Sequence, residues 1–207
     1  MRMKRFFAVM MAAIMMMTCV TVASAANSPS KPDASFKTAS VAMPSFVYNA
    51  KTQKVNGKVK VKVKTSYGYV TLKEGTHYKL VYTAGKNAGT YKVSIVGIGA
   101  YKGTSVTKTY KIAKAGNKVT VKNYKKSYKA SSLKKKATTF TLKTKGVGTK
   151  TFKASVPSKL KKYISVSKKG KVTLKKGAKK GTYKIVVKCA GSKNYKSGSK
   201  TITIKVK

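Results

Sequence analysis

A strand–loop–strand pattern that occurs twice constrains the fold of this chain more than any other feature. In the stretch Gly89–Ile112, Tyr91, Val93 and Ile95 alternate with polar residues, which is the period of a half-buried β-strand. The second arm of the stretch alternates in the same way, but Lys108 interrupts its inward set. We therefore expect two adjacent strands, of which the second is covered along only part of its length.

The loop between these arms is rich in glycine. Gly97, Gly99 and Gly103 give access to backbone angles that other residues reach only at a cost in free energy. A phosphate-binding loop is one interpretation, but that motif requires a helix after the loop, and here a strand follows. The sequence therefore predicts a loop that connects two strands.

The same pattern restarts 92 residues later, where Gly181–Lys184 repeats the letters GTYK. A second similarity relates Thr71–Gly75 to Thr173–Gly177 with a spacing of 102 residues. The two spacings differ, so the copies are divergent and not an exact duplication. A repeat of this length is the size of a domain and too long for a solenoid unit.

These residues resemble a known family. The segment KEGTHYKLVYTAGKNAGTYKVSIVGIGAYKGTSVTKTYKI, residues 73–112, resembles the bacterial immunoglobulin-like (Big-type) repeats of Gram-positive secreted and cell-surface proteins. Residues 169–207 are similar to a module that often follows such a repeat. The resemblance covers roughly residues 41–207 and departs from the family at His77, where Asp is usual. It implies an immunoglobulin-like β-sandwich and says little about function, because a fold does not fix a function.

The order of segments along the chain predicts an exported two-module protein. Arg2, Lys4 and Arg5 precede an apolar run, and Ala23–Ala25 offers small residues for cleavage, as in a secretory signal peptide. We expect an all-β fold of two tandem immunoglobulin-like β-sandwich modules after the cleaved signal peptide, because short alternating segments such as Val59–Lys64 recur and no stretch shows a helical period. The predicted segments are the signal peptide at 1–25, a flexible leader at 26–40, module 1 at 41–114 and module 2 at 115–207.

The chain after the predicted signal peptide contains few residues suited to catalysis or metal binding. The acidic residues of this part are Asp33 and Glu74, and its histidine is His77. General acid–base chemistry usually needs a carboxylate pair or an oriented histidine. Glu74 and His77 could form a dyad, although a turn ion pair or plain exposure is the simpler interpretation. These residues do not form a standard zinc or calcium ligand set. We therefore expect no enzyme, no metal and no cofactor.

Two further residue types have a structural and a functional interpretation. Cys189 shares the parity of Ile185 and Val187, which predicts a buried side chain, whereas a reactive or dimerising thiol is the alternative. The aromatic rings of Tyr67, Tyr69 and Tyr101 could stack on sugars or bases, or they could pack into the sheets.

The charge is the strongest functional signal. The chain has 48 Lys and Arg residues against 2 Asp and Glu, a formal net charge of +46, and removal of the signal peptide leaves about +43 with no arginine. Lysine on outward faces also discourages strand aggregation, but solubility does not require acids to be so rare. Because lysine acts as a hydrated point charge, we expect attraction to anionic polymers and no sequence-specific nucleic-acid recognition. The candidate contacts are Lys60, Lys62, Lys64, Lys134, Lys135, Lys136, Lys161, Lys162, Lys175, Lys176, Lys179 and Lys180.

The expected partners and location follow from these features. We expect a secreted or cell-wall-associated protein that teichoic acid, glycosaminoglycan or extracellular DNA attracts by charge. No sortase-type tail or second hydrophobic segment is expected, so the protein would be released or held to the wall by charge alone. The alternatives are a structural or adhesive module that binds a specific glycan or protein through its sheets and, less favoured, an enzyme with a lysine-based site.

Overall fold

Strands dominate the part of the chain that the structure describes. The structure is a computed structural model that describes residues 36–65 and 68–207, so the predicted signal peptide and most of the predicted leader lie outside the described residues. No helix within those ranges is long and apolar enough to cross a membrane. The strands are β1 (Ser40–Ala42), β2 (Ser45–Val47), β3 (Lys60–Thr65), β4 (Gly68–Leu72), β5 (Tyr78–Tyr82), β6 (Gly89–Gly97), β7 (Ser105–Ala113), β8 (Thr120–Lys122), β9 (Ser127–Tyr128), β10 (Thr138–Thr141), β11 (Lys143–Lys145), β12 (Lys150–Ser155), β13 (Ile164–Val166), β14 (Lys171–Leu174), β15 (Gly181–Cys189) and β16 (Gly198–Val206).

The N-terminal half, residues 36–113, forms two sheets. A four-stranded sheet has the order β2-β7-β6-β5, and a three-stranded sheet has the order β1-β3-β4. The strands β6 and β7 pair antiparallel from Gly89 opposite Ile112 to Val96 opposite Ser105. This pair is the strand–loop–strand unit that the alternation in residues 89–112 predicts.

The C-terminal half, residues 114–207, repeats the order of the four-stranded sheet. Here the order is β9-β16-β15-β12, so each strand corresponds to one strand of β2-β7-β6-β5. In both sheets the long antiparallel pair is joined at one side by a short parallel strand, β2 beside β7 and β9 beside β16. The remaining strands form the sheets β10-β14-β13 and β11-β8. The repeat seen in the sequence is therefore also a repeat of sheet topology.

Each half has its own hydrophobic cluster. In the N-terminal half the cluster contains Val61, Val93 and Ile95 together with the fully buried rings of Tyr78 and Tyr110. In the C-terminal half the cluster is mainly aliphatic and also contains the fully buried Tyr183. Buried residues of β3, β6 and β15 alternate with exposed or half-buried ones, as the sequence predicts. Thr107, Lys108 and Thr109 of β7 are exposed and Val106 is only half-buried, which confirms that this strand is covered along only part of its length.

Two local features lie outside the strand alternation. At the end of the predicted leader, Phe36 is fully buried, the 3-10 turn Phe36–Thr38 precedes β1, and Ser40 pairs with Lys62. The sequence also showed no helical period, yet two short helices occur, α1 (Ala130–Lys135) and α2 (Ser158–Lys161). Each buries a single leucine, a pattern too short to produce a period.

The two halves are joined by hydrogen bonds near the connecting segment. The side-chain amide of Asn194 donates to Oδ1 of Asn87 at 2.9 Å, and Oδ1 of Asn194 accepts from the backbone N–H of Ala88 at 2.8 Å. The rings of Tyr48 and Tyr195 meet edge to face with their centroids 5.4 Å apart. Asparagine and tyrosine side chains thus connect loops from the two halves.

Candidate functional site

All lysine side chains from Lys51 to Lys207 are exposed. The strand β3 shows how the sequence produces this: Val61 and Val63 fill the core, so the alternating Lys60, Lys62 and Lys64 lie on the opposite face. The predicted lysines of β3 thus form one row on the outer face of a three-stranded sheet.

The other predicted lysines lie on three segments that backbone hydrogen bonds bring together. The N–H of Gly177 donates to the carbonyl of Leu133 in α1 at 2.9 Å. The N–H of Lys175 donates to the carbonyl of Tyr163, just after α2, also at 2.9 Å. The ends of both helices therefore meet the loop between β14 and β15. We call these residues the lysine cluster: Lys134, Lys135, Lys136, Lys161, Lys162, Lys175, Lys176, Lys179 and Lys180.

A further lysine surface was not predicted from the sequence. On the outer face of the sheet β9-β16-β15-β12, Lys188 lies between Thr151 and Ser199 of the neighbouring strands. Lys184 lies in the same way between hydroxyl residues of β12 and β16. We call this surface the lysine–hydroxyl face: Thr151, Lys153, Ser155, Thr182, Lys184, Lys188, Ser199, Thr201, Thr203 and Lys205.

Two shallow depressions lie on the lysine–hydroxyl face. They have volumes of about 500 and 580 Å³, and both are lined by Thr151 and Lys188. The alternation of Lys184 and Lys188 with buried residues was visible in the sequence. The hydroxyl neighbours were not, because pairing with β12 is a long-range contact that no local pattern encodes.

The Glu74 carboxylate binds a neighbouring turn. Its Oε1 accepts from the side-chain amide of Asn56 at 2.6 Å, and its Oε2 accepts from the N–H of Gly57 at 2.8 Å. The Nδ1 of His77 instead accepts from the backbone N–H of Lys73 at 2.8 Å. Both groups of the hypothetical dyad thus stabilise loops. In the described ranges, no three His, Cys, Asp or Glu side chains come together.

The glycine-rich loop between β6 and β7 connects two strands, as predicted. A Cβ at Gly97 would lie 2.1 Å from the carbonyl oxygen of Tyr101, so the loop can close only over glycine. Gly99 and Gly103 have φ values of +58° and +85°, where L-residues are disfavoured. A 3-10 turn, Gly99–Tyr101, and then β7 follow Gly97, which is not the helix that a phosphate loop requires.

Cysteine and tyrosine side chains occupy mainly structural positions. Cys189 is free and fully buried, which confirms the prediction of a buried side chain. Tyr101 stacks on Phe36 with a centroid distance of 5.6 Å, and burial raises the pKa of its hydroxyl. Tyr69, by contrast, is 65% exposed. Tyr67 lies outside the described residues, so its predicted role stays a prediction.

No family model matches this sequence, and the comparison with curated proteins found no match. Among solved structures, Drosophila N-cadherin EC1-3 is 16% identical with a TM-score of 0.33, covering 88% of this chain and 66% of that one. The Yersinia pseudotuberculosis adhesin InvE is 15% identical with a TM-score of 0.29, covering 86% and 62%. A SusE-like surface polysaccharide-binding protein from the Bacteroides thetaiotaomicron heparin utilisation locus is 13% identical with a TM-score of 0.27, covering 72% and 42%.

This chain spans less than two thirds of the length of each of these three proteins. Similarities at this level do not define a family for the chain, and what those proteins bind is not transferred to it.

Proposed function

We propose that this protein is an exported, non-catalytic binding protein that associates by charge with anionic polymers. The polymer would be teichoic acid, a glycosaminoglycan or extracellular DNA, at or near a Gram-positive cell wall. Its body would consist of two tandem immunoglobulin-like β-sandwich modules. The repeated order of the four-stranded sheets, β2-β7-β6-β5 and β9-β16-β15-β12, supports the tandem arrangement.

One observation carries the proposal: the lysine charge is all at the surface and almost unopposed. Every lysine from Lys51 to Lys207 is exposed, and Glu74, the acidic side chain among the described residues, already binds Asn56 and Gly57. A surface of one sign attracts polyanions over several ångströms and raises their rate of association.

The residue type argues for weak monomer specificity. Arginine offers a planar fork that fixes the orientation of a phosphate or a base, whereas lysine offers a point charge on a flexible stem. The lysine cluster and the row on β3 both present such point charges on solvent-facing elements. Affinity should therefore follow the charge density of the polymer more than the identity of its monomers.

A salt series tests this function. We expect teichoic acid, heparin and DNA to bind the protein with comparable affinities that fall steeply with salt. Release of counterions from a contact with six lysines would lower the affinity for duplex DNA on the order of a thousandfold between about 50 and 200 mM salt. Tight, salt-insensitive binding to one neutral glycan or to one protein would contradict the proposal.

Two matched triple variants test where the charge acts. Replacing Lys175, Lys176 and Lys179 by Gln removes three charges from the lysine cluster, and replacing Lys60, Lys62 and Lys64 removes three from β3. If charge density alone governs binding, both variants should lower the salt slope, by up to about 2.7 on duplex DNA, without abolishing binding. Complete loss in only one of them would show a localised site.

The lysine–hydroxyl face supports a second candidate function, the binding of a specific glycan through a sheet. There Lys184 and Lys188 each lie between hydroxyl residues, and Lys188 lines two depressions that could receive a sugar ring. Hydroxyls hydrogen-bond sugars directionally, so this face would discriminate between glycans. If Lys184→Gln with Lys188→Gln abolished binding to one glycan while the β3 variant retained it, the second candidate would replace the first.

Catalysis and attachment have their own tests. The absence of enzymatic activity is part of the proposal, and a measured activity that the double substitution of Glu74 and His77 abolished would contradict it. For attachment, walls of producing cells would be washed with concentrated salt and both fractions probed. Charge-held protein should appear in the wash. Protein released only by digestion of peptidoglycan would show another form of anchoring.

A further inference from the structure

The strand β4 forms an open edge of the N-terminal half. It is the last strand in the order β1-β3-β4, so within residues 36–65 and 68–207 it pairs on one side only. Its first four residues, Gly68–Thr71, are all exposed, which means that both of its faces reach solvent. Tyr69 is 65% and Val70 42% exposed. An edge strand of this kind presents unpaired backbone N–H and C=O groups along its outer side.

The composition of β4 distinguishes it from comparable edges. Among the described strands, three at sheet edges have five or more residues: β4, β5 and β12. β5 carries Lys79, and β12 carries Lys150 and Lys153, whereas the sequence of β4, GYVTL, contains no charge. Charged residues on an edge hinder the addition of another strand. In a chain otherwise crowded with lysine, β4 lacks this protection.

The two faces of β4 offer different surroundings to an added strand. On the inner side Val70 lies opposite Val63 and leaves apolar surface exposed. On the outer side Tyr69 and Thr71 lie opposite Lys64 and Lys62. A strand added beside β4 would lie about 10 Å from β3, because neighbouring strands are about 4.8 Å apart. A lysine side chain extending over the short Thr71 can approach a carboxylate at that position.

We propose that the β4 edge binds an extended segment of an acidic partner protein by strand addition. The segment would alternate apolar residues, which cover Val70, with Asp or Glu residues, which face Lys62 and Lys64. Backbone hydrogen bonds provide affinity in this mode of recognition, and alternate side chains provide specificity. Charge complementarity selects this occupant, since a second copy of the chain, itself at +46, would be repelled.

This inference does not rest on polyanion binding. It requires an unpaired edge and backbone hydrogen bonds, whereas the proposed function requires only surface charge. The two can therefore fail separately, and a probe that keeps its charge but loses its backbone donors distinguishes them.

The probe is the capped peptide Thr-Asp-Val-Asp-Val-Asp-Thr. Its control is the same peptide with N-methyl groups on two consecutive central residues, which blocks both edges of the peptide strand and keeps its charge. The affinities of both peptides are measured by calorimetry at about 150 mM salt. We expect the N-methylated control to have an affinity at least about tenfold lower than that of the unmodified peptide, because it loses backbone hydrogen bonds. Amide hydrogen exchange within Gly68–Leu72 should slow when the unmodified peptide is bound. Equal binding of both peptides, or unchanged exchange in this strand, would overturn the proposal.

Matched variants of the protein locate the contact. Val70→Asp and Val81→Asp make the same substitution at two exposed valines, one on β4 and one on β5. Val70→Asp should weaken peptide binding at least about fivefold more than Val81→Asp does, because only Val70 would contact the apolar face of the added strand. If Val70→Asp does not fold, Tyr69→Asp takes its place. Equal effects at the two sites, or dimerisation through β4 without peptide in sedimentation experiments, would refute binding of an acidic partner there.

Discussion

The strand pairs β6–β7 and β15–β16 have the same frame and different interiors. Each pair joins nine-residue strands, begins with the letters GTYK, and has a parallel strand beside its second member. In both, the first tyrosine donates its hydroxyl to the carbonyl four residues earlier: Tyr91 to Asn87 at 2.8 Å and Tyr183 to Lys179 at 2.9 Å. The repeat thus preserves strand length, strand order and one side-chain hydrogen bond.

The surroundings of the two tyrosines differ. Tyr91 is half-buried and stacks on Tyr110 with a centroid distance of 5.2 Å, within a group of aromatic rings that includes Tyr82 and Phe46. Tyr183 is fully buried among side chains that are mainly aliphatic. The same strand order can therefore cover an aromatic or an aliphatic core, provided that every second residue of the central strands faces inward.

Truncation of the two tyrosines should give the largest difference between the halves. Replacing Tyr183 by Ala leaves a cavity in a packed interior and should lower the free energy of unfolding by about 3–5 kcal/mol. Tyr91→Ala should cost less, because the ring is partly in water already. Urea unfolding followed by circular dichroism measures both losses, and hydrogen exchange shows in which half protection falls. Equal losses would mean that the two interiors are equally tolerant.

Many of these strands could be predicted from the sequence, because apolar and polar residues alternate along each of them. Strands β3, β6 and β15 bury every second residue, and each was recognised by that period. The strands β4 and β12 were missed. They lie at sheet edges, where partial burial weakens the contrast between inward and outward residues. The helices α1 and α2 are shorter than two turns and give no periodic signal.

The sequence predicts which lysines are exposed, but not which of them lie close together in the folded chain. Exposure of lysine follows from its charge, so the exposure of all twelve candidates was foreseeable. The convergence of Lys134, Lys161 and Lys175 depends on backbone hydrogen bonds between segments far apart in the sequence. The flanking of Lys188 by Thr151 and Ser199 depends equally on strand register. Contacts of this kind join residues far apart in the sequence, so no local sequence pattern predicts them.

Glycines in the two connecting loops provide the next test. A Cβ at Gly97 would lie 2.1 Å from the carbonyl oxygen of Tyr101, and one at Gly191 would lie 2.5 Å from that of Tyr195. Gly97→Ala and Gly191→Ala should each cost about 2–3 kcal/mol, because backbone must move in both loops. Gly116→Ala is the control, since nothing lies within 4 Å of its added Cβ. Thermal unfolding in which either loop variant matched the control would show that its loop is free to shift.

The contact between the halves should have a smaller effect. Asn194→Ala removes the hydrogen bonds to Asn87 and to the N–H of Ala88, at a cost of about 1–2 kcal/mol. Because these bonds link the halves, we expect the halves of the variant to unfold in two separate transitions. Asn49→Ala, which removes contacts within the N-terminal half alone, is the control. Scanning calorimetry measures the separation, and a single unchanged transition in Asn194→Ala would argue against coupling through this contact.

The smallest expected effect distinguishes a buried tyrosine whose short hydrogen bond is donated from one whose short hydrogen bond is accepted. Burial raises the pKa of Tyr183 and of Tyr110, with a smaller contribution to Tyr183 from Tyr163. A folded-state pKa above the unfolded value of 10.0 means that the neutral hydroxyl stabilises the fold below about pH 10 and that this stability is lost as the pH rises through the folded-state pKa. The hydroxyl of Tyr183 donates to Lys179, and ionisation removes that donor. The hydroxyl of Tyr110 accepts from the N–H of Gly85 at 2.7 Å and donates to the carbonyl of Thr83 over a longer distance of 3.5 Å. Ionisation preserves the shorter bond and removes the longer one.

Replacement of each tyrosine by Phe measures the difference. At neutral pH both variants should be about 1 kcal/mol less stable than the unmodified protein, because each loses one short hydrogen bond; Tyr110→Phe also loses the longer bond to Thr83. Above about pH 10 the deficit of Tyr183→Phe should shrink and then reverse, since the variant has no hydroxyl to ionise. The deficit of Tyr110→Phe should shrink less, because the hydrogen bond from the N–H of Gly85 lowers the pKa of Tyr110 and offsets part of the effect of burial. Lysines that lose charge in the same range affect all three proteins alike, so differences in the free energy of unfolding between them isolate the tyrosine. Deficits that change in parallel would show that burial alone, and not the direction of the hydrogen bond, governs the alkaline stability of the two halves.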